Sequence, residues 1–398
     1  MPNERAVGTI QRIEANRKMR HLTQRAFAHQ AGVSYSLYTK VATGSKRTTP
    51  AFVAACARAL GMEVGELYGQ PYRDELLEER ISYLIQPIVH VMDLYDLDPQ
   101  DGLIPRPVGE LTAEVEHLGD LHDAGAFSLL AERVPGLIEE VRAAALASGD
   151  PLLWDLLAQA YRAVYDIGGR FGYLAVSRTA MDRCEWAAAR AGDAEAPLRA
   201  MRQYQRSLIH LKQGDYASGL RMYAAGRAII DAVGDTPLTL AVRGQLMLGA
   251  ALLSARAGRR DDATELIGEA RSVAARTGEQ PRAYWMGWGP TNVTSHEIKL
   301  WAESDDPSRA VAAARDVRLP EDWPPSRVAR YWMSVASAHL WAGQPDRAVE
   351  TLQVARHAAP QAVRYAPEAR DTVAQILRTS RYPGEAVTSF ARWQGVKP

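Results

Sequence analysis

Apolar residues recur at intervals of three and four along nearly the whole chain, and hardly any stretch alternates apolar with polar positions. That periodicity predicts helices throughout and an all-α fold. Near the N-terminus Ile10 and Ile13 lie three apart, and Arg17, Lys18 and Arg20 close their helix where cations complement its dipole. In the next helix Thr23 is placed to cap the first turn, and Ala26, Phe27 and Ala31 share one face. Gly32 supplies the backbone freedom for a sharp turn, Val33 plugs the angle, and Ser34 caps a third helix from Tyr35 to about Thr43. Pro50, Phe52, Val53, Cys56, Ala57 and Leu60 predict a fourth helix ended by Gly61, and Met62 to Leu67 a short fifth.

Two short helices joined by a tight turn are the arrangement that sets an α-helix into the DNA major groove. Residues 8–69 resemble the lambda-repressor-like, or XRE-family, DNA-binding domain. The matches are Leu22, Thr23, Gln24, Ala28, Ala31, Gly32, Val33, Ser34, Ser36, Gly44, Pro50, Ala57, Leu60, Gly61 and Leu67. A departure is Ala42, where that family commonly has glutamate. The resemblance implies a five-helix helix-turn-helix domain over residues 1–72 that binds a double-stranded DNA operator. It also implies that Gln24 and Ser34 hold backbone phosphates while Tyr35, Ser36 and Thr39 face base edges. Lys40 joins that cluster, and Lys46 and Arg47 would reach flanking phosphates. Tyr38 either joins the same set or packs in the domain core.

Residues 73–107 read as a linker: a long helix over 74–98, then a polar loop from Pro99 to Pro107. Residues 108–147 predict a helix pair broken near Gly125, and helices holding Trp154–Gly168 and Tyr173–Gly192 follow. Four turn segments then align, beginning at Gly214, Gly258, Asp305 and Gly343, with spacings of 44, 47 and 38 residues. Small or compact residues return after each turn, at Gly226, Ala270, Val317 and Ala355. A period near 40 with two helices per unit predicts a stacked α-solenoid. In the last unit Trp332, Val335, Ala336, His339, Gly343, Ala348, Leu352, Ala355 and Pro360 resemble the tetratricopeptide (TPR) signature. Residues 108–398 are therefore read as a TPR-like domain capped by helices over 364–380 and 383–393, with HEAT-type pairs as the alternative.

Charge sharpens this division. The net charge of the chain is zero, yet residues 1–50 hold nine Lys/Arg against two acids, and the remainder is acidic by the same margin. A basic head on an acidic body suits phosphate contact confined to the head. Cys56 and Cys184, the only cysteines, fall in apolar helical patterns and read as buried thiols. No signal peptide and no apolar run near ~20 residues is evident, so a cytoplasmic protein with no membrane contact is expected. Phosphate-binding glycine loops, HExxH, GxSxG and zinc-like Cys/His spacings are missing, so no enzyme, cofactor or metal is expected.

In TPR proteins one i, i+3, i+7 stripe of each first helix lines the inner groove. Carried over by the repeat alignment, it holds Met201, Tyr204 and Leu208; Gln245, Leu248 and Leu252; Asn292, Ser295 and Lys299; and Arg330, Met333 and Ser337. Tyr204, Gln245, Asn292, Ser295, Lys299, Arg330 and Met333 are the candidate effector-binding residues, with Lys299 and Arg330 suited to a carboxylate. The aromatic run Tyr284–Pro290 is read either as inter-repeat packing or as ligand wall. XRE head plus TPR body resembles bacterial regulators, including the RRNPP peptide sensors. That implies a homodimeric transcription factor with a peptide or small-molecule effector. Leu77, Leu84 and Val91 of the linker helix, or the terminal repeats, are candidate dimer contacts. The alternative is an adaptor whose groove binds a protein partner, with DNA binding secondary.

Overall fold

The computed structural model describes residues 8–70, 75–99, 102–280, 282–303, 306–380 and 383–396. Five helices form the head: α1 Thr9–Met19, α2 Gln24–Gln30, α3 Tyr35–Ala42, α4 Pro50–Leu60 and α5 Val64–Tyr68. Their starts are set by side chains that take up orphan amides: Thr23, Ser34 and Thr49 accept from Ala26, Leu37 and Phe52 at 3.1–3.2 Å. Gly32, at φ +68°, makes the turn between α2 and α3, where a side chain would be strained. Ile10, Ile13, Phe27, Val41, Phe52, Cys56 and Leu60 fill a core of the head's own.

The body is an array of antiparallel helix pairs. The chain enters through α6 Glu75–Asp93, whose Ile81, Leu84, Ile85, Ile88, Val91 and Met92 are buried in the body core. This overturns the expectation that Leu84 and Val91 form a dimer contact, because both face their own chain; Leu77 lies outside the described side chains. The pairs that follow are α7 Val108–Ala124 with α8 Phe127–Ser148, α9 Pro151–Phe171 with α10 Leu174–Ala188, and α11 Glu195–Gln213 with α12 Tyr216–Asp231. Next come α13 Pro237–Arg256 with α14 Arg260–Thr277, α15 Pro290–Glu303 with α16 Pro307–Ala314, and α17 Pro325–Trp341 with α18 Pro345–Ala358. Short α19 Pro360–Arg364, α20 Pro367–Thr379 and α21 Glu385–Gln394 end the described chain. Among the described residues there is no strand, only an isolated bridge between Gln280 and Trp288.

The aligned segments are the turns within pairs α11/α12 to α17/α18, except that Asp305, where the third begins, lies outside the described residues. Gly214, Gly258 and Gly343 take left-handed backbone there, while Asp306 caps α16 instead by accepting from Arg309 at 3.2 Å. Gly226, Ala270 and Ala355 are buried helical contacts as expected, but Val317 lies past the end of the short α16. Helix α13 runs 20 residues and is long and apolar enough by composition to cross a membrane, against the expectation of no such run. Its apolar girth reflects burial: most of its side chains, from Leu240 to Leu253, lie inside the array. The run Tyr284–Trp288 resolves as packing, with Trp288 fully buried where a methyl at Gly244 would sit 2.0 Å from its ring.

Two further contacts determine the setting of the inner face. The array curls until its last helices meet its first: a methyl on Gly125 would lie 3.2 Å from the Ala359 Cβ, and Phe171 and Tyr365 stack edge to face at 5.1 Å. The head then docks on this ring. Arg58 donates to the Gly214 carbonyl at 3.0 Å, Gln213 to Glu63 at 3.0 Å, and Thr9 to Asp371 at 2.5 Å. Gly214 serves twice, because a methyl there would lie 2.1 Å from the Ala54 Cβ of the head.

Gly214→Ala should therefore cost more than the left-handed turn alone demands. Gly258→Ala, in an equivalent turn with open space around it, measures the backbone strain, about 1–2 kcal/mol. Thermal melts should show Gly214→Ala lower by a further 1–3 kcal/mol or so, from the clash with Ala54. Equal losses would mean the head does not rest on this turn.

Candidate functional sites

On the head, Tyr35 is 50% exposed and Ser36 and Lys40 are exposed along α3, while Gln24, at the start of α2, is half-buried and bonds Glu14. Ser34 is engaged as the cap of α3, and Thr39 bonds back to the Tyr35 and Ser36 carbonyls at 3.1 Å. Lys46 is exposed in the turn after α3. Two of the predicted DNA-binding residues lie elsewhere. Tyr38 is fully buried between Phe27 and Phe52, and its hydroxyl donates to Glu14. Burial opposes the Glu14 charge, but bonds from Arg17 and Tyr38 hold the carboxylate below its ordinary range. Tyr38 thus anchors α3 to α1 and cannot reach bases. Arg47 points the other way from a phosphate contact and donates to the Ala302 carbonyl at the end of α15.

Within the ring lies a cavity of about 930 Å³, in the size range of small-molecule sites. The predicted Tyr204, Asn292, Ser295, Lys299, Arg330 and Met333 all line it, from α11, α15 and α17. Gln245 does not: it is fully buried behind the wall, donating to the Tyr204 hydroxyl at 2.7 Å and accepting from Asn292 at 2.9 Å. It positions the two wall residues and ties together three inner helices. Helical spacing explains why the stripe converges, since equivalent positions of successive first helices face one axis. The head closes part of the same lining, through Thr9, Arg47, Pro50, Glu66 and Tyr68 among others.

The wall is rich in charge. Arg256 and Glu303 form a forked pair with two 2.8 Å bonds; burial opposes it, but Arg256 holds the Glu303 carboxyl at about 2. Burial pushes Lys212 down to about 8, with Arg170 beside it, and also lowers Lys299. His296 is pushed down to about 3 by burial, so its ring is neutral and can bond the Asn292 carbonyl at 2.9 Å. Lys212, Arg256 and Glu303 were legible in principle, since each lies four residues beyond a stripe residue: Leu208, Leu252 and Lys299. Arg170 and Glu368 come from α9 and α20, outside the aligned repeats, and nothing in the repeat pattern points to them.

Residues 13–67 match the helix-turn-helix family HTH_3. The match supports a DNA-binding transcription regulator, a class not of enzymes, and it covers the head alone. Among solved structures the chain is similar to the crystal structure of BtubC (BKLC) from P. vanneervenii. Identity is 13% and the TM-score 0.38, over 64% of this chain and 90% of that chain. No curated protein matches the chain.

Asp371 ties the head to the ring, and burial raises its carboxyl to about 6, against the Thr9 bond and nearby Arg12. A raised acid binds its proton more readily folded than unfolded, so this group's contribution falls as pH rises from about 4 to 6. Asp371→Asn keeps an acceptor for Thr9 without the charge. It should raise stability at pH 7.5 by about 1–3 kcal/mol and change little at pH 4. Melts at the two pH values check this; equal shifts at both would remove the buried charge as the cause.

Proposed function

We propose that the chain is a transcriptional regulator that binds an operator through Gln24 and the exposed face of α3, as a homodimer in the cytoplasm. Its TPR-like solenoid takes an effector, a peptide or small molecule, into the ring cavity. One observation carries this reading: residues of the head line the cavity together with those of the ring. Anything that fits better with the head docked, or better with it released, changes the head's freedom to meet DNA. Single helix-turn-helix domains bury little surface on DNA, so two heads on a two-fold site are expected. With Leu84 and Val91 turned inward, Tyr83 and Val89 are the large apolar side chains that the described residues of α6 still expose to a second copy.

Operator affinity measured with and without cell extract tests the whole scheme. Gln24→Ala should weaken specific binding. Lys46→Ala should weaken binding to all sequences and reduce the salt slope by about one. Lys299→Ala and Arg330→Ala should erase the response to extract. Retention of the response in both would take the effector out of the cavity and favour a protein-partner adaptor. A monomer by sedimentation, with one head per footprint, would sink the dimer.

A further inference from the structure

We infer that the effector is a small organic molecule carrying at least two negative charges, bound by a cluster of four cations inside the ring: Arg170, Lys212, Lys299 and Arg330. This rests on the cavity being the effector site, and goes beyond it to the ligand's chemistry. The four side chains come from α9, α11, α15 and α17 and all line the cavity. They are close enough to disfavour one another's charge, with Arg330 acting on Arg170, Lys212 and Lys299 alike. Among the described residues none of the four makes an ion pair, whereas Arg256 beside them is matched by Glu303.

The acids nearby do not balance them. Asp166 faces His122 at 3.4 Å and Arg162 at 3.9 Å, and Asp371 holds Thr9. Glu368 is favoured at a distance by Lys299, Arg170 and Arg330 together; Asp166 also acts on Arg170 and Lys212, and Glu303 acts on Lys299 from within its pair with Arg256. Arg327, on the same wall, adds a further cation that Arg330 disfavours. Cations in excess of carboxylates around one cavity raise the free energy of the folded chain. A guanidinium remains charged at neutral pH even when burial lowers its pKa, so the two arginines cannot relieve the strain by losing protons. An anion with two charges relieves it, and the fork of Arg330 suits a carboxylate or phosphate. Leu208, Leu252, Met333 and Tyr365, on the same wall, give its remainder an apolar surface.

The test uses two probes with one apolar body, 1-naphthyl phosphate and 1-naphthol, titrated into the full chain and followed by naphthyl fluorescence. The phosphate should bind at least roughly 30-fold more tightly, the lower bound for a buried charge that keeps its partner. Arg330→Met and Lys212→Met should each erase that preference. Neither variant should melt below the wild type, because each removes one of several repelling charges. Equal binding of the two probes overturns the anionic assignment and leaves the cavity reading intact. So does a preference that survives both substitutions, or a lower melt, which would make the cations structural. Binding of neither probe at millimolar concentration also overturns it; loss of the extract response as well would take the cavity reading with it.

Discussion

Everything at the centre of this molecule follows from how closely its inner helices approach. Glycines permit that approach where the wall is tightest. A methyl on Gly249 of α13 would lie 2.8 Å from the Tyr204 ring of α11. Close spacing lets Tyr204, Gln245 and Asn292 bond in a row across three helices, and it sets the curvature that brings Ala359 against Gly125. Closure then changes the physics of the inner face. Side chains that an open groove would leave in bulk water now line an enclosed volume, where a charge is strongly felt by its neighbours.

Local features were legible and long-range ones were not. Caps at Thr23 and Ser34, the Gly32 turn and the helix ended by Gly61 are each set within a few residues, and each lies where expected. The same holds for the repeat turns at Gly214, Gly258 and Gly343. The stripe converges because one helical period decides which residues share a face; it missed at Met201, Gln245 and Leu248, which are buried behind the wall. Tyr38 was ambiguous for a physical reason: tyrosine suits a base edge and a core with one buried acceptor equally well, and only the position of Glu14 decides. Arg47, the buried face of α6 and the closed ring depend on contacts between residues far apart in the chain, which periodicity does not encode.

The energetics of the docked head suit it to regulation. Its polar contacts with the ring are Arg58 and Arg47 to carbonyls, Gln213 to Glu63, Thr9 to Asp371, and Gln375 to the Gly44 carbonyl at a long 3.4 Å. Neutral bonds of this kind contribute about 0.5–1.5 kcal/mol each, and those with a charged partner about 1.5–3. Docking rests on these few polar bonds, whereas the head's interior is apolar packing, with Phe27, Tyr38, Phe52 and Leu60 fully or almost fully buried. Coupling free energies between sites typically run about 1–3 kcal/mol, a 5- to 150-fold change in affinity. Under the proposed function a ligand needs no long relay to supply that, because the head residues that line the cavity and those carrying α3 belong to one small domain with its own core. On the same proposal, neutralising the cation cluster would alter the field in which the Arg47 and Thr9 contacts form, and the effect on DNA binding would follow from the shared wall.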